Sequence, residues 1–156
     1  MRFIRGIRGL VWLVLAVGLM GTPLAGAAEP VTGQLTPKLD RLLRQEMRAI
    51  DGAMRAIFGA LVSGNHAAVA EKARRIHRSF ILQRELTAAD RRDLKAAVPP
   101  AFLRLDKRFH DKAAALAEAA RAEDPDRQLR VFREMTGACI DCHRRYVSDR
   151  FPGLAD

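Results

Sequence analysis

Two cysteines three positions apart, followed at once by a histidine, are the residues of this 156-residue chain best placed to do chemistry: Cys139-Ile140-Asp141-Cys142-His143. On a helix, positions three and four apart share a face, so two sulfurs and one imidazole would be presented together. This CxxCH spacing is the one that attaches c-type haem. The sulfurs reach the two vinyl-bearing edges of one porphyrin as thioethers, and the imidazole of His143 reaches the iron as proximal axial ligand. The spacing therefore predicts one covalently bound haem c. Rival readings explain less. A structural zinc site needs four ligands, and no second Cys or His pair has suitable spacing. A thioredoxin-like redox pair needs a βαβ context that the pattern does not offer. A simple disulfide between Cys139 and Cys142 would leave His143 unexplained.

Only 13 residues follow His143, too few to wrap a haem. Any second axial ligand and most pocket walls must come from upstream. Met47 is the candidate distal ligand. A thioether on iron gives a six-coordinate, low-spin centre of raised potential, suited to electron transfer. The same methionine also reads as ordinary core in a stripe that includes Met54. His110, beside Phe109, and His77, between Arg75 and Arg78, carry imidazoles that iron accepts. Each reads first as a surface residue or a neighbour of the pocket. His66, at a helix start, is expected to face solvent, and Met135, one turn before Cys139, to pack on the haem edge. Arg74, Arg75, Arg84, Arg91, Arg92, Arg144 and Arg145 include candidate partners for haem propionates, since guanidinium pairs well with carboxylate.

The elements that must position these groups are helices. Ala, Leu, Arg and Glu dominate, and β-branched and aromatic residues never alternate over a useful length. Thr36 as N-cap with Pro37 next opens a first helix that runs to about Val62 and stops at Ser63-Gly64-Asn65. Its apolar stripe is Leu39, Leu43, Met47, Ile50, Met54, Ile57 and Leu61, a seam for a neighbouring helix. A second helix is expected from His66 to Leu86, with Val69, Ala73, Ile76 and Phe80 inward. Thr87 with Asp90 caps a short helical piece, which Pro99-Pro100 ends. A third long helix from Ala101 to Ala122 turns Phe102, Leu105, Phe109, Leu116 and Ala120 to one side. Asp124-Pro125 starts the last, reaching about Asp149, with Leu129, Phe132, Met135 and Tyr146 as its apolar members. Four amphipathic helices on short connections predict an all-α, up-down-up-down antiparallel four-helix bundle, with haem attached near the end of the last helix.

Residues 1–28 carry the three parts of a secretory signal: Arg2, Arg5 and Arg8, the apolar run Leu10 to Met20, and Ala25-Gly26-Ala27 for cleavage. Eleven apolar residues are too few to span a bilayer, which takes about 20. No cysteine lies near the cut, so neither a lipid anchor nor stable membrane insertion after cleavage is expected. The mature domain, residues 29–156, is then periplasmic. It keeps 24 basic against 18 acidic residues, a formal +6. Export and the lack of basic runs interleaved with aromatics argue against nucleic acid.

With these elements in place, the chain resembles the cytochrome c′ superfamily, the class II c-type cytochromes, over about residues 36 to 150. The likeness lies in CxxCH near the end of the last helix of a four-helix bundle. Low-spin members carry a first-helix methionine as sixth ligand, often with a glycine and a second methionine soon after. Met47, Gly52 and Met54 match that pattern approximately. High-spin members place a non-coordinating apolar residue there and leave the iron open to small gases. The family's aromatic residue three positions after the motif histidine is Tyr146, but the arginine that usually follows is Val147, so a role for that arginine does not carry over. The resemblance implies an electron carrier, not an enzyme, served by a redox partner protein. Its alternative is a five-coordinate protein binding nitric oxide or carbon monoxide. A peroxidase-like activity is disfavoured, since His110 alone offers distal acid–base chemistry. Homodimers through the first two helices occur in the family, and a different partner subunit is the other option.

Overall fold

The computed structural model describes residues 30–79 and 86–154. The expected signal segment, Phe80 and Arg84 lie outside them. Among the described residues the chain is all-helical, with five α-helices and no strand: α1 (Pro37–Val62), α2 (His66–Arg78), α3 (Ala88–Ala97), α4 (Pro100–Arg121) and α5 (Pro125–Tyr146). One-turn 3-10 helices at Thr32–Gln34 and Pro152–Leu154 flank them.

The helix starts follow local chemistry. Thr36 caps α1 by accepting from the Leu39 N–H, with Pro37 at the first helical position. Thr87 and Asp90 form a complete capping box on α3. Asp124 caps α5 from in front of Pro125. The two tight connections share one geometry. Asn65 N–H donates to the Ala60 carbonyl and Gly64 N–H to that of Leu61. Asp124 N–H donates to Ala119 and Glu123 N–H to Ala120 in the same way. Both are Schellman turns that need a left-handed residue. Gly64 supplies it at φ 66° without strain, and Glu123 adopts it at φ 52° with a side chain in place.

α2 packs along α1 on one side and α4 on the other, and α4 packs along α5, whereas α1 meets α5 at only a few points. A large apolar cluster joins all four of these helices through Ile50, Ile57, Val69, Ile76, Phe109, Leu116 and Met135. A second gathers at one end, where Leu39, Leu94, Val98, Phe102 and Tyr146 meet Val31. Full burial of residues such as Ile57 and Leu116 contributes roughly 1.5–3 kcal/mol each. No helix among the described residues is long and apolar enough to cross a membrane.

The buried face of α1 is rotated from the expected stripe. Leu39, Glu46, Ile50, Ala53, Ile57 and Ala60 are buried, while Leu43, Met47, Met54 and Leu61 are half-buried. The close partner of α1 is α2, and small residues at 53 and 60 let that contact tighten. On α5, Leu129 is exposed instead of inward, and Phe132 is half-buried. α5 ends at Tyr146, one turn before the expected Asp149.

Candidate functional site

The last two turns of α5 carry Cys139, Cys142 and His143. The helix stops because Val147 leaves helical geometry, though its N–H still donates to the His143 carbonyl at 3.0 Å. Cys139 packs against the large cluster and Cys142 against the end cluster, so the two sulfurs straddle the junction between them. Both are free thiols and half-buried. Burial raises the pKa of the Cys139 thiol. Burial, helped by the nearby Asp106 charge, pushes Cys142 up to about 12 against a smaller pull from Arg145. Both sulfurs are thus held uncharged, which suits a neutral thioether and disfavours a redox-active thiolate.

His143 is half-buried, and burial alone lowers its pKa, favouring the neutral imidazole that metals take. Neither ring nitrogen bonds a described side chain or carbonyl. Its ring face is covered instead by Phe151, with centroids 4.3 Å apart and planes 4° from parallel.

Met47 lies half-buried on α1 and borders the same large cluster as Met54, Phe132 and Cys139. These residues come from α1 and α5, two helices that meet at only a few points. Met135 is completely buried in that cluster.

The histidines weighed as ligands have other engagements. His110 is buried on α4, its Nδ1 2.8 Å from the Ile76 carbonyl. Its Nε2 stands 3.4 Å from Glu46 Oε1 and 3.8 Å from Asp106 Oδ1. His77 is exposed, with Nδ1 3.0 Å from the His110 carbonyl. His66 is half-buried and bonded to Gln128 at 2.9 Å, so it does not simply face solvent. Glu46 is the residue that sequence reasoning missed. Positions 39, 46, 53 and 60 step by seven, and a carboxylate at one of them signals a buried polar partner elsewhere.

Burial, then the Glu46 charge, pushes Asp106 up to about 7. For His110, burial works against the charged ring, but the Glu46 hydrogen bond, Asp106 and the Ile76 carbonyl outweigh it and raise its pKa. Among the described residues no group of three or more His, Cys, Asp or Glu side chains is assembled to hold a metal ion by itself. No protein-family model matches this chain, and neither do curated proteins or solved structures.

Proposed function

We propose that the chain is an exported mono-haem c-type cytochrome of the cytochrome c′ kind that transfers electrons. The observation that carries this reading is the CxxCH run on the final helix: two uncharged half-buried thiols beside an imidazole whose nitrogens bond no partner among the described residues. Met47, Met54, Phe132 and Cys139, half-buried apolar residues of α1 and α5 against one cluster, support it as candidate walls for a flat hydrophobic group.

The bundle in this reading is α1, α2, α4 and α5 in antiparallel order, with α3 as a bridging piece. The two Schellman turns support that order, since each reverses the chain within three residues. Residues 1–28 act as the cleaved signal that delivers the domain to the periplasm.

Haem c, when bound, supplies one-electron ferric–ferrous chemistry. Cys139 and Cys142 would hold it by thioethers, and His143 and Met47 are the residues that would bind its iron. Met47 and Cys139 pack against one cluster, which would hold α1 and α5 in register around such a group. Cys139 and exposed Ile140 mark the face where a redox partner protein would approach. A second reading draws on Met47 packing like its neighbour Met54. There Met47 would pack beside the haem without bonding it, and the group would supply a binding site for nitric oxide or carbon monoxide.

Intact mass of the exported protein tests the attachment, and spectroscopy with and without carbon monoxide tests the ligand. The expected result is one added haem, and a low-spin spectrum indifferent to the gas that turns high-spin in Met47→Ala. Absence of haem mass sinks the reading. A high-spin resting state that takes up carbon monoxide selects the second.

A further inference from the structure

A histidine bound to a metal is normally oriented by a hydrogen bond from its other ring nitrogen to a carbonyl or carboxylate, which fixes rotation and raises basicity. His143 makes no such bond to a described residue. What it has is Phe151, eight residues downstream, stacked face to face at 4.3 Å. Stacking occupies the ring face and leaves both nitrogens, which lie in the ring plane, open at the edge.

The return of Phe151 to His143 is built into the tail. After α5 ends, Arg150 and Phe151 N–H both donate to the Val147 carbonyl, at 3.0 and 3.2 Å. The Leu154 N–H then donates to the Phe151 carbonyl at 2.9 Å, closing the 3-10 turn at Pro152–Leu154. The start of the domain clamps this region. Val31 N–H donates to the Tyr146 carbonyl at 2.9 Å, and Thr32 Oγ1 donates to Asp149 Oδ2 at 2.6 Å. Tyr146 itself is buried edge-on against Phe102, with centroids 5.4 Å apart.

We propose that Phe151 is a positioning residue for His143: the stack, held by the Val31–Thr32 clamp, sets imidazole rotation in place of the usual hydrogen bond. The proposal rests on the haem reading above. Its chemical consequence is specific. A ring face gives the imidazole no negative partner, so His143 stays a weak donor and the ferrous state is favoured. Phe151→Ala frees the imidazole to rotate and uncovers its face to water, which favours the charged ferric state. At fixed ambient potential the ferrous-to-ferric ratio in Phe151→Ala should therefore fall, read as a midpoint potential lower than that of wild type.

The experiment compares exported wild type, Phe151→Ala, Phe151→Leu and Phe151→Tyr. Intact mass, redox titration, proton NMR of the His143 ring and thermal unfolding are measured on each. Stacking predicts that Tyr restores the wild-type potential and His143 resonances. Leu should keep the melting temperature yet share the shifted potential and resonances of Ala. Should Leu behave as wild type, or Ala leave potential and resonances unmoved while haem mass is present, the positioning role is overturned and the haem reading stands. Absence of haem mass in wild type overturns the haem reading, and this role with it.

Discussion

His110 Nε2 lies 3.4 Å from a carboxylate oxygen of Glu46, and both side chains are almost wholly shielded from water. The pair joins α1 to α4, helices that otherwise meet mainly through α2. Asp106, one turn before His110, crowds the same place, and its Oδ2 finds no hydrogen-bond partner among the described residues. Burying ionisable groups is costly unless they satisfy one another, so their mutual approach holds this part of the interior together.

Glu46→Ala should therefore destabilise the domain by about 3 kcal/mol, because it opens a void and removes one member of a buried, mutually satisfied cluster. Glu46→Gln keeps the volume and an acceptor oxygen and should lose well under half as much. Urea unfolding reads both. Equal, negligible losses would show the pair to be a bystander.

The same cluster sets a pH dependence. A raised folded pKa means the folded chain keeps a proton that the unfolded chain releases. For Asp106, between its ordinary 3.8 and about 7, stability should fall as pH rises. His110 acts in the same direction, its contribution present below 6.5 and lost as pH climbs through its raised folded value. Asp90 acts oppositely at the acid end. The Lys38 hydrogen bond, then those from Thr87, hold it down to about 2, so its contribution is lost as pH falls below 3.8. Melting temperature should peak where these windows meet, at about pH 4, and decline toward pH 8. In Asp106→Asn that decline should flatten; an unchanged slope would refute the assignment.

Close packing of α2 on α4 depends on alanines. Ala73 and Ala113 are both fully buried in the shared cluster. Ala73→Leu should cost about 1–3 kcal/mol through overpacking. At exposed Ala67 on the same helix the substitution should stay within about 0.5 kcal/mol. Calorimetry of the two variants gives the comparison, and similar values would contradict the packing.

Glu123 carries a left-handed backbone that its counterpart Gly64 adopts freely. Glu123→Gly should stabilise the turn by about 0.5 kcal/mol, the relief of strain exceeding the added freedom of the unfolded chain. Gly64→Ala should destabilise by about 1 kcal/mol. A loss of stability in Glu123→Gly would argue against the shared geometry.

Much of the fold was legible because its signals are local. Thr36-Pro37, Thr87 with Asp90, and Asp124-Pro125 announced helix starts at the positions found, since a cap needs only residues within one turn. The rotation of α1 was not legible. Leu43, Met47, Met54 and Leu61 are as apolar as Ala53 and Ala60, and hydropathy does not tell which side the tighter neighbour takes.

The sequence by itself determined that this is a helical chain ending in a CxxCH helix, because periodicity, capping and covalent spacing act within a few residues. Only the tertiary structure decided that Glu46 is interior, that His110 and Asp106 crowd it, and that Phe151 covers His143. Those relationships join residues far apart in the chain or across a turn whose path no local preference dictates. They are set by which helix faces reach each other once the whole domain packs.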